Sequence, residues 1–314
     1  MSNFKKILKR ITLLLLGCLF VKASGSSPNL LPQKNGFSTL LISIPKTGTW
    51  LLEQCFRLLT NKTNSLWRLQ SSLLQPYVED PQVLPYAIQL FNPSTRMFNT
   101  CTNLGSEEFL ITHLTYDKIY EDMLLEKDFK IIFLIRDPRD QLISRVYYTQ
   151  RYPSIFSGLQ HLSFDELLSG YMGIDALPEQ NFEDLLISHI GYSHTPHYKA
   201  ISHIVKFYEA FLPWMHVRNC YTVRFEDLVG EQGGGSLKAQ LQEIINIANH
   251  TGTPLASKHL IEVAQKSFGF PSGTFREGKI GSWKTHFKPE HKEAFKKIAG
   301  QLLIDLGYEK DFNW

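Results

Sequence analysis

Runs of apolar residues, separated by stretches in which apolar positions recur every three or four residues, set the pattern of this chain. Near-continuous apolar runs lie at 38–44, 109–112, 129–136 (Phe-Lys-Ile-Ile-Phe-Leu-Ile-Arg) and 220–225 (Cys-Tyr-Thr-Val-Arg-Phe). Runs of this length without alternation suit parallel strands covered on both faces. Helical spacing marks 49–60, 138–150, 163–170, 198–212, 236–249, 256–267 and 289–306. The β–α alternation predicts an α/β fold, a doubly wound parallel sheet in a single domain over 37–314, with ligands at the carboxyl ends of its strands. Residues 61–105 and 151–197 are irregular and rich in aromatics, Pro, Ser and Asn, which marks them as excursions over that edge and candidate acceptor-binding elements.

The N-terminus departs from this pattern. Residues 1–23 carry Lys5, Lys6, Lys9, Arg10 and Lys22 and no acid, with an apolar stretch from Ile11 to Val21 and small residues Ala23 to Ser27. This reads as a signal peptide or a short anchor, since eleven apolar residues are too few for the ~20 that span a bilayer. Residues 24–36 read as a linker. Composition matters mainly through what it excludes. The formal charge of +3 becomes −2 without the first 23 residues, because 28 basic residues then face 30 acidic ones. A near-neutral body excludes nucleic acid as the main partner, which needs a concentrated positive field. Cys55, Cys101 and Cys220 lie beyond residue 23, an odd set that makes no disulfide framework and no metal spacing.

The chemistry begins at the end of the first predicted strand, with Pro45-Lys46-Thr47-Gly48-Thr49-Trp50 leading into a helix. Backbone amides and the positive end of the helix dipole face an anion there, and Lys46 adds a full charge. A Walker loop has its lysine after a second glycine, and this segment has neither that glycine nor that order. The loop is P-loop-like, built for a phosphate or a related group. After the strand 129–136, Arg136 stands where a mononucleotide kinase would carry a magnesium-binding Asp. Arginine binds phosphate without a metal, through a fixed fork of donors. The same residue type equally pairs with a nearby acid, here Asp140. Asp137 suits the N-cap and Pro138 the first helical position. Near the C-terminus, Phe275-Arg276-Glu277-Gly278-Lys279-Ile280-Gly281-Ser282-Trp283-Lys284 suits either a loop folded over a charged ligand or a solvated turn.

Taken together and in order, these segments resemble the sulfotransferases that use 3′-phosphoadenosine-5′-phosphosulfate (PAPS), above all the cytosolic-type branch. The family's P-K-[ST]-G-T loop is matched by Pro45–Thr49, its R-x-x-x-D-x-x-x-S by Arg136, Asp140 and Ser144, and its late R-K-G-x-x-G-x-W-K by Arg276, Gly278, Gly281, Trp283 and Lys284. Thr112-His113-Leu114 is similar to the segment holding the catalytic base. The resemblance implies transfer of a sulfuryl group from PAPS to a hydroxyl or amine, with no metal. It implies His113 and Lys46 as catalytic groups. It implies Lys46, Thr47, Gly48, Thr49, Trp50, Leu51, Arg136, Ser144, Phe225, Ser267, Phe268, Arg276, Glu277 and Gly278 around the cofactor. Four positions depart from the family: Leu51 replaces an adenine-stacking Trp, Ile111 a lysine, Phe225 a tyrosine and Glu277 a phosphate-binding lysine.

Two other readings accommodate parts of the pattern: a nucleotide kinase or NTPase using the loop 45–49, and a non-catalytic nucleotide-binding scaffold. The acceptor expected is a small-molecule, glycan or lipid hydroxyl. Tyr147, Tyr148, Tyr152, Phe156 and the aromatics of 61–105 either bind it or complete the core. The N-terminal segment points to a secretory route or membrane attachment, whereas PAPS supply points to the cytosol or the Golgi lumen.

Overall fold

The computed structural model describes residues 38–64, 104, 108–152, 159–175, 177, 203–269 and 275–314. The segments read as signal and linker, Cys101, Phe156 and the aromatics of 67–98 lie outside the described residues. So does most of the two irregular excursions.

All the described elements fall within the unit Gly36–Trp314. A five-stranded, all-parallel sheet runs in the order β2-β3-β1-β4-β5. Its members are β1 (Thr39–Ser43), β2 (Thr63–Asn64), β3 (Glu108–Thr112), β4 (Lys130–Ile135) and β5 (Cys220–Arg224). The expected strands are present to within about a residue or two, and β2 is an edge strand too short and polar for the apolar pattern to reveal. The helices are α1 (Thr49–Thr60), α2 (Lys118–Glu126), α3 (Pro138–Arg151), α4 (Phe164–Met172), α5 (Ile204–Glu209), α6 (Phe225–Leu228), α7 (Leu237–Thr251), α8 (Ser257–Ser267) and α9 (Pro289–Asp305). The helix expected over 198–212 is shorter, because a 3₁₀ turn at Leu212–His216 takes over where Pro213 removes a backbone donor. Helix α2, started by Asp117 accepting from the Ile119 N–H, leaves little trace in the apolar pattern because its exposed face carries most of its residues.

Alternate residues of each strand feed two apolar layers, as the pleat requires. Leu40, Ile42, Phe133 and Ile135 face a layer with Leu142, Tyr208, Trp214 and Phe295. Leu41, Ile132, Leu134 and Val223 face one with Leu52, Phe56, Ile244 and Val263. The central strands are therefore fully buried, and the segment after each of them emerges on one edge. Cys55 and Cys220 are free thiols, both pushed up to about 12 by burial.

The turn from β1 into α1 is the tightest part of this edge. Gly48 caps the helix at φ 108°, a left-handed conformation that side chains rarely adopt. A β-carbon there would stand 2.6 Å from the Phe225 ring. Gly48→Ala is expected to cost about 1–3 kcal/mol from backbone strain alone, read by urea unfolding. An unchanged midpoint would mean that this turn neither holds residue 48 in the left-handed conformation nor brings the Phe225 ring against it.

Candidate active site

Four segments meet at the carboxyl edge of the sheet: the loop after β1, His113 after β3, Arg136 after β4 and Phe225 after β5. The loop is tied down through its carbonyls. Thr47 Oγ1 donates to the Ile44 carbonyl at 2.6 Å, and its N–H reaches the same oxygen at 3.2 Å. Gln141 Nε2, from the first turn of α3, donates to the Pro45 carbonyl at 2.8 Å. The Thr47 N–H is thus committed to the turn, and the amides of Gly48 and Thr49 are those left without an intrahelical acceptor at the start of α1.

Lys46 sits half-buried at φ 71° with its Nζ 3.9 Å from the centre of the Tyr148 ring. Burial first, and then the positive charges of Arg136 and Arg151, push its ammonium down to about 7. The charges of Arg136 and Arg151 act against the Lys46 ammonium, and an anion bound beside it offsets that repulsion. Arg136 is buried, its guanidinium 4.2 Å over the Phe225 ring, with Nη2 donating to the Lys279 carbonyl at 2.7 Å. Its Nε is buried without an acceptor.

His113 is oriented by the strand beside it. Its Nδ1 lies 2.7 Å from the Ser43 carbonyl, which can only accept, so Nδ1 carries the proton and Nε2 keeps its lone pair. Ser43 Oγ stands 3.2 Å from the same nitrogen and 2.9 Å from Thr49 Oγ1, joining the histidine to the start of α1. Burial, opposed by that carbonyl and reinforced by Lys46, lowers the imidazole to about 4. The ring is neutral at physiological pH.

The late segment lies across the start of α3. Asp140, buried in its first turn, accepts from the Gly281 N–H at 2.7 Å and the Trp283 N–H at 2.9 Å. Its Oδ2 is 3.8 Å from Arg136. Arg276 donates to Ser282 Oγ at 3.0 Å, pairs with Glu277 at 2.8 Å and lies over the Tyr147 ring. Ser144 is half-buried one turn beyond Asp140 on the same face of α3. Gly278, at φ 63°, passes under Phe268 and Phe275.

The structure therefore brings Lys46, Thr47, Gly48, Thr49, His113, Arg136, Ser144, Arg276, Glu277 and Gly278 to one edge. Three more of the residues expected around the cofactor take part in the packing around the loop. Leu51 belongs to the apolar layer with Leu52 and Cys55, Phe225 is packed between Arg136 and Gly48, and Ser267 is buried with its hydroxyl on the Val263 carbonyl. Trp50 is half-exposed at the start of α1, and Phe268 comes directly after α8. Motifs alone miss Gln141, Tyr148 in its contact with Lys46, and Arg151. The stripe 136, 140, 144, 148 at four-residue spacing is the available signal for Tyr148.

The sulfotransferase domain model matches residues 38–307. The chain belongs to the sulfotransferase family. Its fold is similar to mouse sulfotransferase SULT7A1 complexed with PAP, at 15% identity and a TM-score of 0.53, covering 86% of this chain and 84% of that one. It is also similar to retinol dehydratase in complex with androsterone and inactive cofactor PAP, at 16% identity and a TM-score of 0.50, covering 85% and 80%. No match is found among curated proteins. Membership sets aside the kinase and NTPase reading. Among the described residues there is no group of His, Cys, Asp and Glu that could hold a metal ion. No helix among them is long and apolar enough to cross a membrane.

For the sulfotransferase without ligand, the depressed ammonium has a measurable consequence. The unfolded chain protonates Lys46 up to about 10.5 and the folded one only to about 7, so folding is penalised in full below 7 and the penalty fades as pH rises to 10.5. Lys46→Met is expected to raise the melting temperature at pH 6–7 by several degrees and to leave it near the wild-type value at pH 10. A gain independent of pH would show that the folded protein does not depress the Lys46 ammonium.

Proposed function

We propose that this sulfotransferase transfers the sulfuryl group of PAPS to the hydroxyl of a small acceptor, with His113 as the base. The observation that carries the reading is the placement of Lys46 and Arg136 at the carboxyl edge of the sheet with His113, whose Nδ1 is fixed by the Ser43 carbonyl. The residues fit the co-substrate: Lys46 and the amides at the start of α1 suit its 5′-phosphosulfate. Arg136, whose Nε is buried and unpaired, suits with Ser144 and Arg276 the 3′-phosphate. The PAP held by both structural neighbours supports the same assignment.

In this reading the acceptor oxygen attacks sulfur in line, forming an S–O bond as the bond from sulfur to the phosphate oxygen breaks. His113 Nε2 takes the hydroxyl proton, while Nδ1 remains held by Ser43, so the ring cannot turn away as its charge develops. Lys46 meets the negative charge that accumulates on the departing phosphate oxygen, which is stabilisation by a preorganised group. An ammonium held near 7 gains most when that charge appears, because the anion restores its proton. Glu277, paired to Arg276, occupies that guanidinium until a phosphate competes for it. The half-buried Tyr148 and Tyr152, ring centres 4.9 Å apart beside Lys46, give the acceptor side an apolar wall.

His113→Ala is expected to lower kcat by about 10²–10⁴-fold while binding of adenosine 3′,5′-bisphosphate, measured by calorimetry, stays within about twofold. The wild-type enzyme should prefer that bisphosphate to ADP. A folded His113→Ala variant with full activity on a phenol acceptor would remove the histidine from the mechanism. For kcat/KM of PAPS, which reports groups of the free enzyme, the expected limbs are an acidic one near 4 from His113 and an alkaline one near 7 from Lys46. Lys46→Arg should abolish the alkaline limb, and a profile unchanged by that substitution would overturn the assignment.

A further inference from the structure

The closing segment is held from behind by residues that no step of the reaction uses. Arg139, in the first turn of α3, is buried in the corner of two perpendicular indoles, its guanidinium carbon 4.1 Å from the centre of the Trp283 ring and 4.5 Å from that of Trp314. Two acids hold it by its edge. Nε and Nη2 reach both oxygens of Asp137, at 3.0 and 2.7 Å, and Nη1 reaches Glu309 at 2.6 Å. A guanidinium fixed by acids along its edge leaves its flanks for aromatic contact, and the two tryptophans occupy adjacent flanks of it. The two indoles also meet edge to face at 5.6 Å. The Trp314 Nε1 is buried without an acceptor, and the ring is kept in place by its contacts with Arg139, Trp283, Phe295 and Lys296.

The backbone around Trp283 carries the effect of that packing to the anion site. The Trp283 N–H is bonded to one oxygen of Asp140, the Gly281 N–H to the other, and the Lys279 carbonyl to Arg136. The position of the Trp283 ring therefore sets how the segment 276–283 lies over Arg136. We infer that Trp314 and Glu309 are positioning residues for the 3′-phosphate clamp, acting through Arg139 and Trp283 without touching the nucleotide. This rests on the reading of Arg136, Ser144 and Arg276 as the partners of the 3′-phosphate. Glu309 fixes the angle of the guanidinium, and Trp314 braces both that guanidinium and the Trp283 ring. Without the second indole, Trp283 loses its aromatic neighbour and Arg139 one of its two aromatic contacts, and the segment loses its support.

The test compares adenosine 3′,5′-bisphosphate with ADP on the full chain, by calorimetry, in the wild type and in Trp314→Ala and Trp314→Phe. Trp314→Ala is expected to weaken the bisphosphate by about tenfold, the loss of one well-packed cation–aromatic contact, and to leave ADP within about twofold. Trp314→Phe should recover most of the preference, since a phenyl ring restores the aromatic contact. A folded Trp314→Ala variant with wild-type preference, or one that weakens both nucleotides equally, overturns the inference and leaves the assignment of the 3′-phosphate site standing. A wild-type protein that binds both nucleotides equally overturns that assignment and the inference with it. Should Trp314→Ala not fold, Glu309→Gln is read by the same two affinities and the same criteria.

Discussion

One buried carboxylate holds the cofactor edge of this protein together. Asp140 uses both oxygens on backbone amides of a segment more than 140 residues away, and lies close to Arg136 as it does so. A carboxylate removed from water must be fully bonded or it protonates. Burial pushes Asp140 up, and Arg136 with the two amides opposes that push. The arrangement is self-consistent only when strand β4, helix α3 and the late segment are all in place. The anion site thus exists only in the assembled fold, although its members are spread from residue 46 to residue 282.

Helix α3 is the element through which this assembly works. Its first turn gives Asp137 to Arg139, Asp140 to the late segment and Gln141 to the Pro45 carbonyl. Its last turns give Tyr147 to Arg276 and His286, and Tyr148 to Lys46. The order is a consequence of the parallel sheet. Strands that run the same way deliver their exit loops to one edge, and the helix after the central strand β4 is bordered by the loop leaving β1 on one side and the one leaving β5 on the other.

The strands, the main helices and the anion-binding loop are legible in the chain because their signals are local: apolar runs, a Gly beside a Lys, an Asp-Pro pair at a helix start. The predicted boundaries 49–60 and 138–150 lie close to the observed α1 and α3 for that reason. The short edge strand β2 and helix α2 escape, since neither carries the apolar face that periodicity detects. Side-chain roles are less legible. Leu51, Phe225 and Ser267 match motif positions, and their part in the packing around the loop could not be read from residue type. A motif states which residue occupies a position, and only three-dimensional context decides which way it points. Glu277 is the reverse case: a charge that looks adverse in the sequence is balanced by Arg276 next to it.

The loop after β1 has one property that reaches beyond this chain. The carbonyls of Ser43, Ile44, Pro45 and Gly48 are all turned toward protein donors, namely His113, Thr47, Gln141 and the amides of α1. With the acceptors withdrawn, the turn offers the open side the main chain's positive pole. Recognition of charge at this point is thereby a property of the peptide bond and owes little to the identity of residues 50 and 51. Such a turn can accept drift in its neighbouring side chains, a displaced tryptophan among them, and still select an oxyanion.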